Sequence, residues 1–358
     1  LCREFDAEAY VLSTCLRHDE LRDGRVRIEH RPYAGRSAGG LMFHLAQLWY
    51  GLRLIASVVS FKPDVAIINE GVHWCLLSIL GWMGIQVVPS LHVKLDWQGR
   101  RGMVWGLIRR ANRRFFRRGC RAVLVASQDI ADQVIQLTGP SHPPLLEFLP
   151  LYRPSIFAAI EPADHNRRPF NILFVGRVEA NKGIFDFLEI ASRICAGTEG
   201  IEFHVCGVGS ALAELQSRLG HDNLSGRFHV HGYCDRARLS EMYGLAHVVV
   251  VPTRSSFGEG FNQVIAEAVL AGRPVVTSAI CPALAYVREA VVEVAADDVD
   301  AYTDAVLRLA FDPSLYTQKQ QACPVVRGQF YDSSRSWGAM LRQVLTGMAS
   351  NPRTASAC

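Results

Sequence analysis

The sequence predicts an α/β protein built from two Rossmann-like domains with parallel sheets. Strand and helix patterns alternate along most of the chain, as parallel strands joined by helical crossovers require. Val65-Ala66-Ile67-Ile68 is wholly apolar, as expected of a strand covered on both faces. The alternation breaks over residues 140–169, which hold seven of the sixteen prolines and read as a linker. At about 150 residues per domain, 358 residues make two domains.

In chain order, residues 9–15 and 25–30 are short β-branched runs and predict strands. Residues 41–60 carry a helix pattern, stopped by Pro63-Asp64. A strand over 65–68, a helix over 74–82 and a strand over 86–89 follow. A helix over 104–118, a strand over 121–126 and a helix over 128–137, capped by Ser127, close the first half. Beyond the linker, strands are predicted at 171–175, 201–206, 227–231, 247–251 and 274–277. They alternate with helices at 184–196, 211–219, 236–245 and 262–270. A helix over 299–309, irregular chain and a helix over 333–345 complete the pattern. The boundaries are therefore 1–153 for the first domain, 154–330 for the second, 331–349 for a helix packing back on the first, and 350–358 for a small, polar, disordered tail. Two such halves place a ligand in the cleft between them, at the carboxyl ends of strands.

Composition narrows the function. With 49% hydrophobic and 20% charged residues the chain can bury two cores, and a net charge of +4 is too balanced for a dedicated nucleic-acid binder. The ten cysteines are scattered without a C-x-x-C pair, which suits reduced thiols of a cytoplasmic protein. No clustered set of metal ligands is evident, so no metal site is expected. Residues 41–60 carry His44, Gln47 and Arg53, and residues 72–91 are split by Gly81, Gly84 and Pro89. Both read as core helices rather than membrane spans. Residue 1 is Leu, not Met.

Two segments carry chemistry. Gly176-Arg177-Val178-Glu179-Ala180-Asn181-Lys182-Gly183 joins a strand to a helix. Its glycines let backbone amides approach an anion at the helix N-terminus, and Arg177 and Lys182 add two cations suited to a diphosphate. The G-K-[S/T] end of a Walker loop is absent. Taken alone the segment reads equally as a solvated loop. The second segment, Phe257-Gly258-Glu259-Gly260-Phe261-Asn262, leads into a helix containing Glu267. Glu267 sits among apolar neighbours, where a carboxylate is costly unless partnered, and carboxylates bind vicinal diols well. An exposed Glu267 and a helix-capping Glu259 remain the plainer alternatives.

Together the two segments resemble glycosyltransferase family 4, the "glycosyl transferases group 1" type: G-R-x-x-x-x-K-G, then two glutamates with seven residues between them. Val251-Pro252-Thr253, Gly207-Val208-Gly209, His231-Gly232-Tyr233 and Ala271-Gly272-Arg273-Pro274 fit as well. The resemblance implies a GT-B architecture and retaining transfer from a nucleotide-diphosphate sugar, with no cofactor and no essential metal. It implies that Arg177 and Lys182 hold the donor pyrophosphate, that Glu259 contacts the donor sugar, and that Glu267 binds the ribose. Gly176, Gly207, Gly209 and Tyr233 would line the nucleotide pocket, and the amides of Gly260, Phe261 and Asn262 would touch sugar or diphosphate. Many members have Gly where this chain has Asn262.

The first half matches more loosely. His92, at a strand end, resembles a histidine placed near the transferred sugar, though a plain loop histidine fits too. Members usually begin with a strand, a Gly-rich loop and a helix. Residues 1–8 look like the end of that helix, and Gly39-Gly40 comes too late to replace the loop, so a first βα unit is expected to be missing. Phe148-Leu149-Pro150-Leu151-Tyr152 stands where many members have an Asn-Gly-Val-Asp-like turn. That departure is expected to affect linker contacts but not the donor site.

Between positions 100 and 121 lie Arg100, Arg101, Arg109, Arg110, Arg113, Arg114, Arg117, Arg118 and Arg121, with no acid and with Met103, Val104, Trp105, Leu107, Ile108, Phe115 and Phe116 interleaved. Such a helix suits an anionic membrane surface, or equally solvent; no nucleic-acid motif accompanies it. The acceptor implied by the resemblance is a glycan or a lipid-linked molecule of the cell envelope. The protein would then be cytoplasmic and peripheral on the inner membrane face. An oxidoreductase is disfavoured, because the strand after Gly207-Val208-Gly209 ends in His231-Gly232 rather than an acid. A sugar-nucleotide epimerase and a non-catalytic nucleotide-sugar scaffold are the other readings. Asp298-Val299-Asp300 resembles a metal-binding D-x-D but precedes a helix, where capping is expected.

Overall fold

The computed structural model describes residues 1–15, 18–32, 40–69, 73–95, 103–219, 224 and 226–349. The predicted tail, Arg100, Arg101 and Gly39 lie outside them. The chain forms two compact units: Leu1–Val125, Ile130–Phe148 and Trp337–Cys358 make unit one, and Ala126–Asp129 with Leu149–Ser336 make unit two.

Unit one holds two sheets. β1 (Ala9–Cys15) runs parallel to β3 (Val26–Pro32), and β2 (Asp19–Asp23) pairs antiparallel with β3. β2 was not expected: Asp-Glu-Leu-Arg-Asp carries four charges and is exposed throughout. The turn at Gly24 and pairing to β3 hold it extended, so its context outweighs its poor strand propensity. The second sheet has the order β4-β5-β6-β7, all parallel. Its strands are Val65–Ile68, Gln86–Leu91, Val123–Val125 and Leu145–Glu147. The last lies inside the stretch read as linker. Two leucines after Pro143-Pro144 were too short an apolar run to register against the prolines, yet Leu145–Glu147 pairs with β6 along its whole length. β1 and β4 each form an edge of their sheet.

The helices of unit one pack on these sheets. α1 (Gly40–Phe61) ends where Lys62 turns left-handed (φ 52°) ahead of Pro63. It crosses the 3₁₀ turn Trp74–Leu77 so closely that a Cβ on Gly51 would lie 3.0 Å from Leu76. α2 (Ser78–Trp82) continues from that turn. α3 (Met103–Arg118) packs on the same turn through Phe115 and Phe116, which meet the Trp74 ring, and through Asn112, which accepts the Cys75 amide at 2.8 Å. Among the described residues no helix is long and apolar enough to cross a membrane. α4 spans Gln128–Thr138.

Unit two is one six-stranded parallel sheet with the order β10-β9-β8-β11-β12-β13. The strands are β8 (Phe170–Val175), β9 (Ile201–Cys206), β10 (Phe228–Gly232), β11 (Val248–Val251), β12 (Val275–Ser278) and β13 (Val291–Val294). Between them run α5 (Ile184–Gly197), α6 (Leu212–Leu219), α7 (Arg236–Leu245), α8 (Gln263–Leu270) and the short α9 (Leu284–Val287). α10 (Val299–Phe311) follows, capped by the Asp298 carboxylate on the Ala301 amide at 3.0 Å. All four valines of β11 are buried, and Phe170, Ile172, Phe187, Phe203 and Val248 form one apolar core with α5 and α10. Arg273 is fully buried and donates to the carbonyls of Glu161, Tyr243 and Gly244, tying the proline-rich segment to the end of α7.

Residues 310–332, expected to be irregular, contain α11 (Pro313–Val326). Pro313 sits in its first turn behind Asp312, whose carboxylate accepts two amides. Pro324 inside the helix masked the pattern. β13 was likewise missed, as a four-residue edge strand. α12 (Trp337–Ala349) belongs to unit one, where the Trp337 indole donates to Ser90 Oγ at 2.9 Å and Arg342 pairs with Glu4.

Candidate active site

In unit two the strand order reverses direction between β8 and β11. Ligands of such sheets bind outside the carboxyl ends of the strands at this switch point. The two motif loops leave those two strands: residues 176–183 follow β8, and residues 252–262 follow β11.

The first loop closes against the backbone of its neighbours. Gly183 adopts φ 77°, and a Cβ there would lie 1.9 Å from the Pro252 carbonyl oxygen. Gly207, after β9, adopts φ 151°, and its Cβ would lie 1.8 Å from the Gly176 oxygen. Only glycine fits at either place. Backbone bonds stitch the loops together: Gly176 N–H to Cys206, Val178 N–H to Val208, Gly207 N–H to Gly232, and Arg254 N–H to Asn181. Gly209 packs on the Val178 backbone, and Tyr233 stands 79% exposed beyond Gly232.

The charges converge on one spot. Lys182 Nζ meets Glu259 Oε2 at 2.5 Å, both side chains being largely buried. Lys182 also stands 4.2 Å from the centroid of the Phe257 ring, and the Arg177 guanidinium 5.6 Å from the same ring. Arg177 pairs with Glu179 at 2.8 Å, but its side chain is half exposed, and such pairs contribute only about 0–1 kcal/mol. A dianionic ligand therefore competes for Arg177 easily.

Asn262 takes φ 74° at the start of α8. Asparagine tolerates this region better than most side chains. Its Nδ2 donates to Glu259 Oε2 at 3.2 Å. Among the described residues, no carbonyl accepts the amides of Gly260, Phe261 or Asn262. The carbonyls of this turn are taken: Ser127 Oγ donates to Gly260 O at 2.6 Å, and Ala283 N–H to Phe261 O. Ser127, whose simplest expected role is to cap a helix, holds the Gly260 peptide. Phe261 itself is buried against Tyr286 and Phe330.

Glu267 is partnered. Tyr243 Oη donates to one carboxylate oxygen at 2.9 Å and Tyr152 Oη to the other at 3.2 Å. Burial pushes the Glu267 carboxyl above its usual range, and the two hydroxyls pull it part of the way back. Tyr152 lies in the segment that departs from the family turn. That departure was expected to spare the donor site, but its last residue touches Glu267.

His92 belongs to unit one, and the residues described above belong to unit two. Its Nε2 is 3.0 Å from Ser90 Oγ, its ring rests on Phe148, and desolvation lowers its pKa. On α3, Arg109, Arg110, Arg113, Arg114, Arg117 and Arg118 are exposed, with Met103 (84% exposed), Val104 and Leu107 beside them. Phe115 and Phe116 face the core, so they do not belong to that surface.

Residues 169–312 match the family described as "Glycosyl transferases group 1". The structure is similar to Anabaena HepE in complex with UDP, with a TM-score of 0.69 and 14% identity over 96% of this chain and 100% of that one. The fold is GT-B. The chain is 27% identical to alpha-D-kanosaminyltransferase of Streptomyces kanamyceticus over 40% of its own length and 37% of the relative's. It is 26% identical to glycogen synthase of Mycobacterium tuberculosis over 66% and 57%. It therefore spans less than two thirds of these relatives. The family match covers β8 to α10, and so every residue of the two loops described above.

Among the described residues, the side chains placed to hold a metal ion lie outside these loops. They are Glu202 and His204 on β9 and His229 on β10, whose ligand atoms all lie within 4.8 Å of one another. They were not anticipated, since no pair of them on different strands is close in sequence.

Proposed function

We propose that the protein is a retaining glycosyltransferase that moves a sugar from a nucleotide-diphosphate donor to a glycan or lipid-linked acceptor of the cell envelope. The observation that carries this reading is the meeting of Lys182 and Glu259 at the switch point of the unit-two sheet. In the donor complex Lys182 turns to the diphosphate beside Arg177, and Glu259 turns to a hydroxyl of the sugar. Negative charge grows on the departing nucleoside diphosphate in the transition state. Two fixed cations and the amides of Gly260, Phe261 and Asn262 lower that barrier. The nucleotide lies over Gly176, Gly207, Gly209 and Tyr233, with the ribose on Glu267. The reading calls for no metal cofactor.

The six exposed arginines of α3 and its neighbouring Met103, Val104 and Leu107 support a second part of the reading, contact with an anionic membrane surface on the cytoplasmic side. Met42, Leu45, Trp49 and Leu52 of α1 are also exposed, and α1 and α3 pack on the same turn, Trp74–Leu77. The donor reading is tested by thermal unfolding of the protein with a panel of nucleotide sugars and with free nucleoside diphosphates. A true donor raises the midpoint, and the rise disappears in Lys182→Ala. No rise with any donor overturns it.

A further inference from the structure

We propose that Glu202, His204 and His229 bind one divalent transition cation of the zinc type, which fastens the edge strand β10 to β9. Glu202 and His204 are two residues apart on β9, so they share a face of the sheet. His229 sits opposite His204 in the parallel register. Glu202 Oε2 stands 3.1 Å from His229 Nε2 and 3.9 Å from His204 Nε2. Ligand atoms around a tetrahedral zinc with bonds near 2.0–2.1 Å stand about 3.3 Å apart, so small rotations of these side chains close the site. Two imidazoles and one carboxylate favour such a cation over magnesium or calcium, which prefer oxygen.

The surroundings orient the ligands. The rings of His204 and His229 lie parallel to within 16° at 4.8 Å, and His231 stacks on His204 at 5.4 Å. His204 Nδ1 is 3.2 Å from His231 Nε2. Without the ion, His204 Nε2–H donates to Asn171 Oδ1 at 3.0 Å. With it, the ring proton moves to Nδ1 and is donated to His231, whose own proton shifts to its far nitrogen, and the Nε2 lone pair takes the metal once Asn171 Oδ1 and the ring have turned apart. No proton leaves either ring. Glu202 and His229 are part exposed, which provides an entry path and room for water in the fourth position. Among the described residues, Arg238 is a nearby cation, and it pairs with Glu241 at 2.7 Å.

The site has a structural consequence. β10 is the sheet edge, and its register with β9 slips between Val230 and Gly232. Gly232 then accepts the Gly207 amide at 2.7 Å. A cation joining His229 to Glu202 and His204 fixes the strand just before that slip. The inference does not depend on the reaction proposed above.

The test uses the full chain, stripped with chelator and dialysed to equilibrium against Zn²⁺ with excess Mg²⁺ present, followed by elemental analysis and thermal unfolding. One Zn²⁺ per chain and a raised midpoint are expected. His229→Asn and Glu202→Gln each replace a part-exposed side chain; each should fold as the parent does without zinc and weaken zinc binding at least tenfold. Co²⁺ in the same site should give visible d–d bands without the near-ultraviolet charge-transfer band of a thiolate. Absence of bound zinc, equal affinity in both variants, or a thiolate band overturns the proposal.

Discussion

Lys182 Nζ and Glu259 Oε2 meet at 2.5 Å, although 77 positions separate them in the chain. Each residue is thus the other's charge partner as well as a candidate for donor chemistry. Removing one leaves the other largely buried and uncompensated, at a cost of about 1–3 kcal/mol. Lys182→Ala and Glu259→Ala should each abolish transfer and also lower stability. The double variant should be less destabilised than the sum of the two. Urea unfolding of all four proteins measures the coupling, and additivity within about 0.5 kcal/mol would show that the pair is not formed in solution.

Tyr152→Phe removes one of the two hydroxyl donors to Glu267. The folded-state pKa of Glu267, already raised by burial, rises further, because the ionised form loses a partner. A raised carboxyl pKa contributes stability below the unfolded value that is lost as pH rises through the folded value. The variant should therefore lose about 1 kcal/mol at pH 7 and less near pH 4. Chemical denaturation at the two pH values distinguishes this from a loss that does not vary with pH.

His247 is held neutral. Its Nδ1 accepts the Asn171 amide at 3.0 Å, and its Nε2–H donates to the Asp164 carbonyl. A second proton would point at an N–H. Burial, with Arg273, Arg168 and Arg167 adding to it, lowers the pKa to about 4, against the opposing hydrogen bond to Asp164. The unfolded chain binds a proton that the fold refuses, so stability falls as pH drops from about 6.5 toward 4. By pH 5 this one group costs about 2 kcal/mol. His247→Gln should flatten that part of the stability profile, and an unchanged slope would assign the acid sensitivity elsewhere.

Gly207→Ala places a methyl group 1.8 Å from the Gly176 oxygen. The loops after β8 and β9 must separate, costing about 2 kcal/mol or more and disturbing both Gly176 and the Gly232 bond. Stability and donor affinity should fall together. Gly197→Ala, in α5 with nothing within 4 Å of the added carbon, serves as the control: it should leave donor affinity unchanged and stability equal or slightly raised.

Reversal of Arg113, Arg114, Arg117 and Arg118 to Glu tests the membrane reading. Each basic residue near an anionic surface contributes about 1 kcal/mol, so the fourfold change should abolish flotation with phosphatidylglycerol vesicles. The parent's binding should also weaken with salt. Parent protein that stays in the aqueous fraction rejects the membrane partner.

Local chemistry was legible and remote pairing was not. β1, β4, β9 and α7 match their expected bounds, because each has a clean pattern between punctuating residues. β7 was hidden by its flanking prolines, and α11 by Pro324. The loop glycines and cations stood out as motifs, yet nothing local says that Lys182 pairs with Glu259 or that Tyr152 reaches Glu267. Glu202 and His204, like His229 and His231, alternate visibly. That β9 lies beside β10 is a property of the sheet, not of either segment.

Unit one is discontinuous: its last element, α12, comes after all of unit two. During synthesis the ribosome must deliver 188 residues of unit two, Leu149–Ser336, before Trp337 can reach Ser90. The second half of the chain can thus mature first, while the first half waits as an incomplete folding intermediate whose closing helix is still being made.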